Sequence, residues 1–549
     1  MSNIKKIFLS ESTLKNHIDL QTSNYNEYII NLILLDKYDV KFTIVKKARI
    51  LAASMTRNDN VLSAYLLFRN DYDLPAVVKT CEILDSRRYI NSLEKKTDRI
   101  KNKKKLSKHK SIIENTKKLN EGLPVSLSKS KIKFITRHWI NLITKEDIEN
   151  QAIQYAPKLW KKLIDLFHLK PNNFKLEWFP SYIFGKDYPT YSKSYKCSNI
   201  TKDNIIDIVN TYQPSYIYLK TNYKTLITDD ILKIIYEYTP LEDVMKYWKD
   251  FSVDYYRKKT IDRLQTDEPF NIPYGELMKR ILALKKRKEN KELVDTLINI
   301  SEQKLDEYII EIEQPVVVFG DASGSMDIAI KTSTIIASIL CKIANAKMHL
   351  FRSIDEPIDK PPKNVHDVIE MGMKCIAGGG TAPAASLYPY LERKEIVKTF
   401  IIVTDEEENV NYKEQSFSSI FKQYWETIYQ SKLIFVSFVS DNKDGYMVSD
   451  LKKEIPGVEK NIIQFRLNYS KPDLRKLDTL LNTMEMESDA YNKIFNFLFE
   501  KIKNMNYNKI NNCIHLINKY IGNNDSEQNN NDSEQNNNDS EQKVYRVSI

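Results

Sequence analysis

Glycine is scarce in this chain, with 12 in 549 residues, and proline is modest at 18. That excludes collagen-like and glycine-loop-rich architectures and disfavours an all-β protein built on tight turns. Cysteine is scarcer still. Cys81, Cys197, Cys341, Cys375 and Cys513 lie far apart with no CxxC pair, which argues against a disulfide framework or structural zinc and fits a reducing compartment. No run of about 18 apolar residues occurs, so no membrane span is expected. The opening MSNIKKIFLSESTLKNH lacks the apolar stretch of a signal peptide. The expectation is an intracellular, cytoplasmic protein. Walker A, HExxH and GxSxG strings are also missing, and the seven histidines are scattered. No enzyme is expected.

What is present is ample material for a core: 42% apolar residues against 28% charged. Residues 1–310 read as helices joined by short polar connections. The spacing predicts helices over Asn60–Arg69, Glu146–Phe167, Asp229–Tyr238 and Pro273–Lys288, with apolar residues three and four apart, as in Leu277, Ile281 and Leu284. No repeat has a readable consensus, so a solenoid of HEAT-like repeats is only one arrangement open to them. Near Glu311 the texture changes. Pro315–Gly320, Phe400–Val403 and Leu433–Val439 are continuous apolar, β-branched runs suited to strands buried on both faces of a parallel sheet. Helical stretches separate them. The expected fold class is therefore α plus α/β: a helical region over 1–310, then a doubly wound, mostly parallel domain over 311–522. The segment 523–549 carries NNDSEQN at a period of seven with no apolar a or d positions in the repeat, and is expected to be disordered.

The sharpest motif follows the first β-run. VVVFGDASGSM supplies Asp321, Ser323 and Ser325 in a loop at the carboxyl end of a strand, where α/β sheets present ligand groups. One carboxylate and two hydroxyls are hard oxygen donors that suit Mg²⁺ better than zinc or copper. Gly378–Thr381 adds the Thr381 hydroxyl after three glycines, and FIIVTDEEE adds Asp405 at a second strand end. Taken singly, the serines and Thr381 could be helix caps and Asp405 a turn residue. Glu406, Glu407 and Glu408 read as a solvated acidic edge, or as charge that discourages an acidic partner. Together, DASGSM, GGGT and IIVTD resemble the von Willebrand factor A domain and its metal-ion-dependent adhesion site. The resemblance implies a Rossmann-like sheet, Mg²⁺ (with Mn²⁺ as the alternative) at Asp321, Ser323, Ser325, Thr381 and Asp405, and an acidic protein ligand.

Charge is also concentrated. Between Lys95 and Lys118 there are eleven lysines and arginines against Asp98 and Glu114, a net +9 in 24 residues. Lys95, Lys96, Arg99, Lys101, Lys103, Lys104, Lys105, Lys108 and Lys110 are candidate phosphate contacts. A solvated insertion over 95–118 is the plainer reading. Trp178, Tyr182, Tyr188, Tyr191 and Tyr195 are either an aromatic surface for bases or packing around an irregular loop. Helices followed by an A domain is similar in layout to the Ro (TROVE) family, which implies a ribonucleoprotein component binding small or misfolded RNA. The alternative is an A-domain scaffold that grips an acidic partner through Mg²⁺, without RNA.

Overall fold

The structure is a computed structural model. It describes residues 7–8, 12–37, 40, 42–97, 100, 102–120, 123–155, 157–308, 310, 312–326, 330–439, 445–467, 474, 477–485, 489–503, 513–514 and 516. The expected tail at 523–549 lies outside them.

The first half is helical, as the spacing predicts. Its helix starts are set by side chains that accept from orphan backbone N–H groups: Thr13, Thr43, Asp59, Ser128, Thr144, Ser192, Ser215, Thr228 and Asn290. The helix expected over Glu146–Phe167 is two helices, Lys145–Gln154 and Pro157–Phe167. Pro157 has no N–H to continue the first helix, and Tyr155 is extended. One apolar core spans residues 7 to 183, with Trp160 fully buried among Trp139, Phe174 and Phe179.

The described residues of the basic segment belong to the end of the Leu74–Thr97 helix and to the Lys103–Asn120 helix packed beside it. This pair has its own small core of Ile90, Leu93 and Ile113, separate from the larger ones.

The second half carries a six-stranded sheet ordered β3–β2–β1–β4–β5–β6, where β1 is Val316–Asp321, β2 Lys347–Phe351, β3 Asp355–Pro357, β4 Thr399–Thr404, β5 Lys432–Phe438 and β6 Ile462–Leu467. All pairings are parallel except β2–β3. The pleat sorts residues onto two faces. Val316, Val318, Ile401, Val403, Ile434 and Val436 enter a core shared with helices from residue 197 to 305. Val317, Phe319, Phe400, Ile402, Leu433 and Phe435 enter a separate core with the Pro383–Glu392, Phe417–Thr427 and Tyr446–Glu454 helices. From β1 the chain steps to β2 on one side and later returns to β4 on the other. The strand order therefore reverses between β1 and β4, opening a crevice at their carboxyl ends.

Two helices after β6 tie the halves together. In Leu477–Glu485, the Asp478 carboxylate accepts from the N–H groups of Tyr274 and Gly275 (2.5 and 2.9 Å) and caps the Tyr274–Lys286 helix. The Asp489–Lys503 helix goes further. Tyr491, Leu498 and Ile502 are buried in the N-terminal core, and the Tyr491 hydroxyl donates to Asn31 Oδ1 at 2.9 Å. The unit expected over 311–522 thus contributes its last described helix to the core of the first region.

Leu498→Ala should cost about 2–4 kcal/mol, the range for truncating a buried leucine. It should also speed amide exchange in the Tyr25–Lys37 helix, far away in sequence. Exchange quickened only around 498 would contradict this interlock.

Candidate metal centre

Asp321 ends β1, is fully buried and sits at the β1–β4 crevice. Its Oδ1 accepts from the Ser323 N–H (2.9 Å), which folds the loop back over the carboxylate, and its Oδ2 accepts from the Thr404 hydroxyl (2.6 Å). The Ser323 and Ser325 hydroxyls lie 2.9 Å apart. Ser325 in turn hydrogen-bonds Asp405, whose Oδ1 also accepts from the Glu407 N–H at 3.1 Å. These contacts join four of the five expected residues directly.

Thr381 is brought in through backbone. Gly378 N–H donates to Ala322 O (3.1 Å) and Gly324 N–H to Gly379 O (3.0 Å), so the two loops are stitched together. Gly379 has φ +75°, and a Cβ on Gly380 would lie 2.5 Å from Val410, which explains these two glycines. Thr381 N–H donates to Asn409 Oδ1 at 2.8 Å. The Thr381 hydroxyl itself is buried and has no hydrogen-bond partner among the described residues. A buried hydroxyl left without a partner costs about 1–3 kcal/mol, so it points to something that it would bind.

The carboxylates point the same way. Burial, then the neighbouring Asp405, pushes Asp321 up to about 7. Burial likewise raises Asp405. Two carboxyl groups in a site with little water are held ionised most readily by a cation between them. Two carboxylates and three hydroxyls, all hard oxygens, fit Mg²⁺ or Mn²⁺ and offer no soft ligand.

Sequence reasoning missed several supporting groups. Thr404 and Asn409, which orient Asp321 and Thr381, are visible in the sequence only as polar residues flanking Asp405. The acidic run is not the solvated edge expected. Glu406 is fully buried, and its carboxylate accepts from Ser437, Gln464 and the Val448 N–H. Glu408 accepts from the Phe417 N–H at the start of a helix (2.8 and 3.0 Å), and Glu407 alone is exposed. Neither polarity nor charge in a sequence reveals a carboxylate used as an internal cap.

Of the lysines expected to contact phosphate, Lys95, Lys96, Lys103, Lys104, Lys105, Lys108 and Lys110 are exposed on the helical pair. Arg99 and Lys101 lie outside the described residues. Trp178, Tyr182, Tyr188 and Tyr195 pack on one another as half-buried rings, with Trp178 stacked on Tyr188 at 6.1 Å. Tyr191 is exposed.

The chain matches no family model, and no curated protein matches it. Among solved structures it is similar to the crystal structure of the Deinococcus radiodurans RO (RSR) protein. The identity is 11% and the TM-score 0.49, over 85% of this chain and 94% of that one.

Glu408 generates a pH prediction. Burial, with Asp450 and Glu454 nearby, raises it from 4.5 to about 7. The folded state therefore holds this proton more tightly than the unfolded chain. The resulting stability is complete below pH 4.5 and is lost as pH rises through about 7. Glu408→Gln should remove that loss, so its Tm should gain on the native chain between about pH 5 and pH 8. Parallel Tm curves for the two proteins would contradict the assignment.

Proposed function

We propose that this chain is a non-enzymatic, metal-dependent binding protein. In this reading Asp321, Ser323, Ser325, Thr381 and Asp405 hold Mg²⁺, or Mn²⁺ in its place. When bound, the ion supplies an electrophilic coordination position open to an anionic oxygen of a partner. Asp321 contributes the principal charge, oriented by Thr404 and the Ser323 N–H. The neutral hydroxyls add ligands without cancelling the ion's charge, and Asn409 holds the Thr381 loop in place. The observation that carries the reading is the buried, unpartnered Thr381 hydroxyl on a loop stitched by backbone to the Asp321 loop, where Asp405 also raises Asp321.

Calorimetry on the full chain tests it. Mg²⁺ should bind one to one, and at a hundredfold excess over Kd it should stabilise the fold by about 2.7 kcal/mol. Asp321→Ala should abolish the heat, and Thr381→Val should weaken binding severalfold. Equal heats in Asp321→Ala and the native chain would place the ion elsewhere.

A second component is RNA. The Lys103–Asn120 helix with the end of Leu74–Thr97 presents exposed lysines on a helical pair with its own core. Lysines without interleaved aromatic rings favour phosphate contact over base reading. Together with the Ro-like layout, this supports a ribonucleoprotein component that binds small or misfolded RNA. The alternative is a scaffold that uses the metal centre alone to hold an acidic protein partner. Among the described residues no helix is long and apolar enough to cross a membrane.

Reversing Lys103, Lys104 and Lys105 to Glu decides between them. If RNA is bound, affinity should fall alike for all sequences, and the slope of log K against log salt should flatten by about two to three. Native RNA binding with an unchanged slope makes this segment a solvated insertion, and no binding at low salt leaves the scaffold.

A further inference from the structure

The helical pair of Leu74–Thr97 and Lys103–Asn120 carries cations that its own acids leave unmatched. Lys117 pairs with Glu94 at 3.1 Å. Lys103, Lys104, Lys105, Lys108 and Lys110 are exposed, and none of them has an ion pair among the described residues. The contact that holds the two helices together, Ile90 and Leu93 against Ile113, is apolar and leaves these lysines outside it. Like charges three and four positions apart on one helix repel each other, so the surface gains from an anion laid across it.

The chain contains such an anion. Residues 523–542 hold Asp525, Glu527, Asp532, Glu534, Asp539 and Glu541 with no lysine or arginine, a net −6 in 20 residues. They include no apolar residue, so charge and hydrogen bonding are what they offer a surface. The point of attachment also suits. Cys513, Ile514 and Leu516 join the N-terminal core, and so do Leu74, Val77, Cys81 and Leu84 at the start of the helix that carries the basic pair. The base of the pair and the last described residue therefore belong to one core. From Leu84 to Thr97 the helix runs about 20 Å. The stretch of about 25 residues from Leu516 to Glu541 spans about 25–30 Å as a coil, which brings the acids within reach of the lysines.

We propose that the acidic repeat over 525–541 docks on the basic helical pair of its own chain and screens it from other polyanions. Tethering is what makes this work. Each ion pair at a solvated surface is weak and falls with salt, so a free peptide with six acids would bind poorly. A tethered one acts at an effective concentration on the order of a millimolar. Occupancy then follows ionic strength, and a competitor has to displace the repeat. A polyanion of higher charge density does so, whereas single acids scattered over a protein surface do not. The inference stands independently of the RNA reading, because any polyanion meets the same screen.

Carbodiimide treatment of the full-length protein, which joins a lysine to a carboxylate in contact with it, tests this by mass spectrometry. At low salt, links should join Lys103–Lys110 to the acids of 525–541, and about 0.5 M salt should remove them. Mixing isotope-labelled with unlabelled protein separates links within one chain from links between two. A chain with the three aspartates changed to Asn and the three glutamates to Gln should bind a fluorescent heparin hexasaccharide at least about threefold tighter than the native chain at low salt, and equally at about 0.5 M. In a chain carrying Lys103→Gln, Lys104→Gln and Lys105→Gln, neutralising the repeat should matter little, because the docking surface is already weakened. The three lysines are exposed, so folding should be unaffected. No links, links spread over lysines elsewhere on the surface, or equal heparin affinity of the native and neutralised chains at low salt would overturn the proposal. Links only between chains would overturn it too, and make the occupant a second copy. If the links form but a uridine 15-mer binds neither chain, the RNA reading fails and this one stands.

Discussion

A parallel sheet has two faces to bury, and here the core over one of them runs on into the first half of the chain. The Pro383–Glu392, Phe417–Thr427 and Tyr446–Glu454 helices close over Val317, Phe319, Phe400 and Ile402. The opposite face, with Val316, Val318, Ile401 and Val403, shares one continuous apolar core with helices from the first half. Polar contacts follow the same seam. Lys342, on the helix after β1, pairs with Glu302 and Asp306 of the Lys291–Asp306 helix at 2.6 and 2.9 Å. The halves therefore do not behave as beads on a string. A charge placed on that shared face would strain both.

The candidate metal centre is a by-product of the same arrangement. Strands buried on both sides leave only their ends for polar chemistry, and the reversal of strand order opens that end between β1 and β4. Asp321 and Asp405 are there because each is the first carboxylate beyond a run that has no polar alternative. Burial raises both, and the hydroxyls of Ser323, Ser325 and Thr404 partly offset it.

Much of this was legible in the sequence. The β-branched runs at 316–319, 400–403 and 433–438 carry a signal that few alternatives compete with, and β1, β4 and β5 are the central strands. β2, β3 and β6 are shorter or mixed in polarity, as in Lys347–Phe351 and Ile462–Leu467, and periodicity alone does not distinguish them from loops. The order Asp-x-Ser-x-Ser, Gly-Gly-Thr, strand-Asp marked the candidate residues because each belongs to a local backbone motif. What failed was everything set by distant contacts. Glu406 reads as surface charge until Ser437 and Gln464 are seen beside it. Asp478 reads as one more helical acid until it caps a helix some two hundred positions earlier. The last described helix reads as part of the sheet domain until Tyr491 meets Asn31.

That last contact joins residues 460 positions apart. Closing so long a loop costs only about 2 kcal/mol more than closing one of forty residues, because the entropy grows with the logarithm of length. Equilibrium stability hardly registers the distance, but the order of assembly does. As the chain is synthesised, the helices around Tyr28 and Leu35 emerge and must wait, part of their apolar surface uncovered, until the whole sheet has been made. The Asp489–Lys503 helix then arrives as the closing step. A stall or an error in forming the sheet would leave the opening helices exposed, so quality control of the second half is written into the surface of the first.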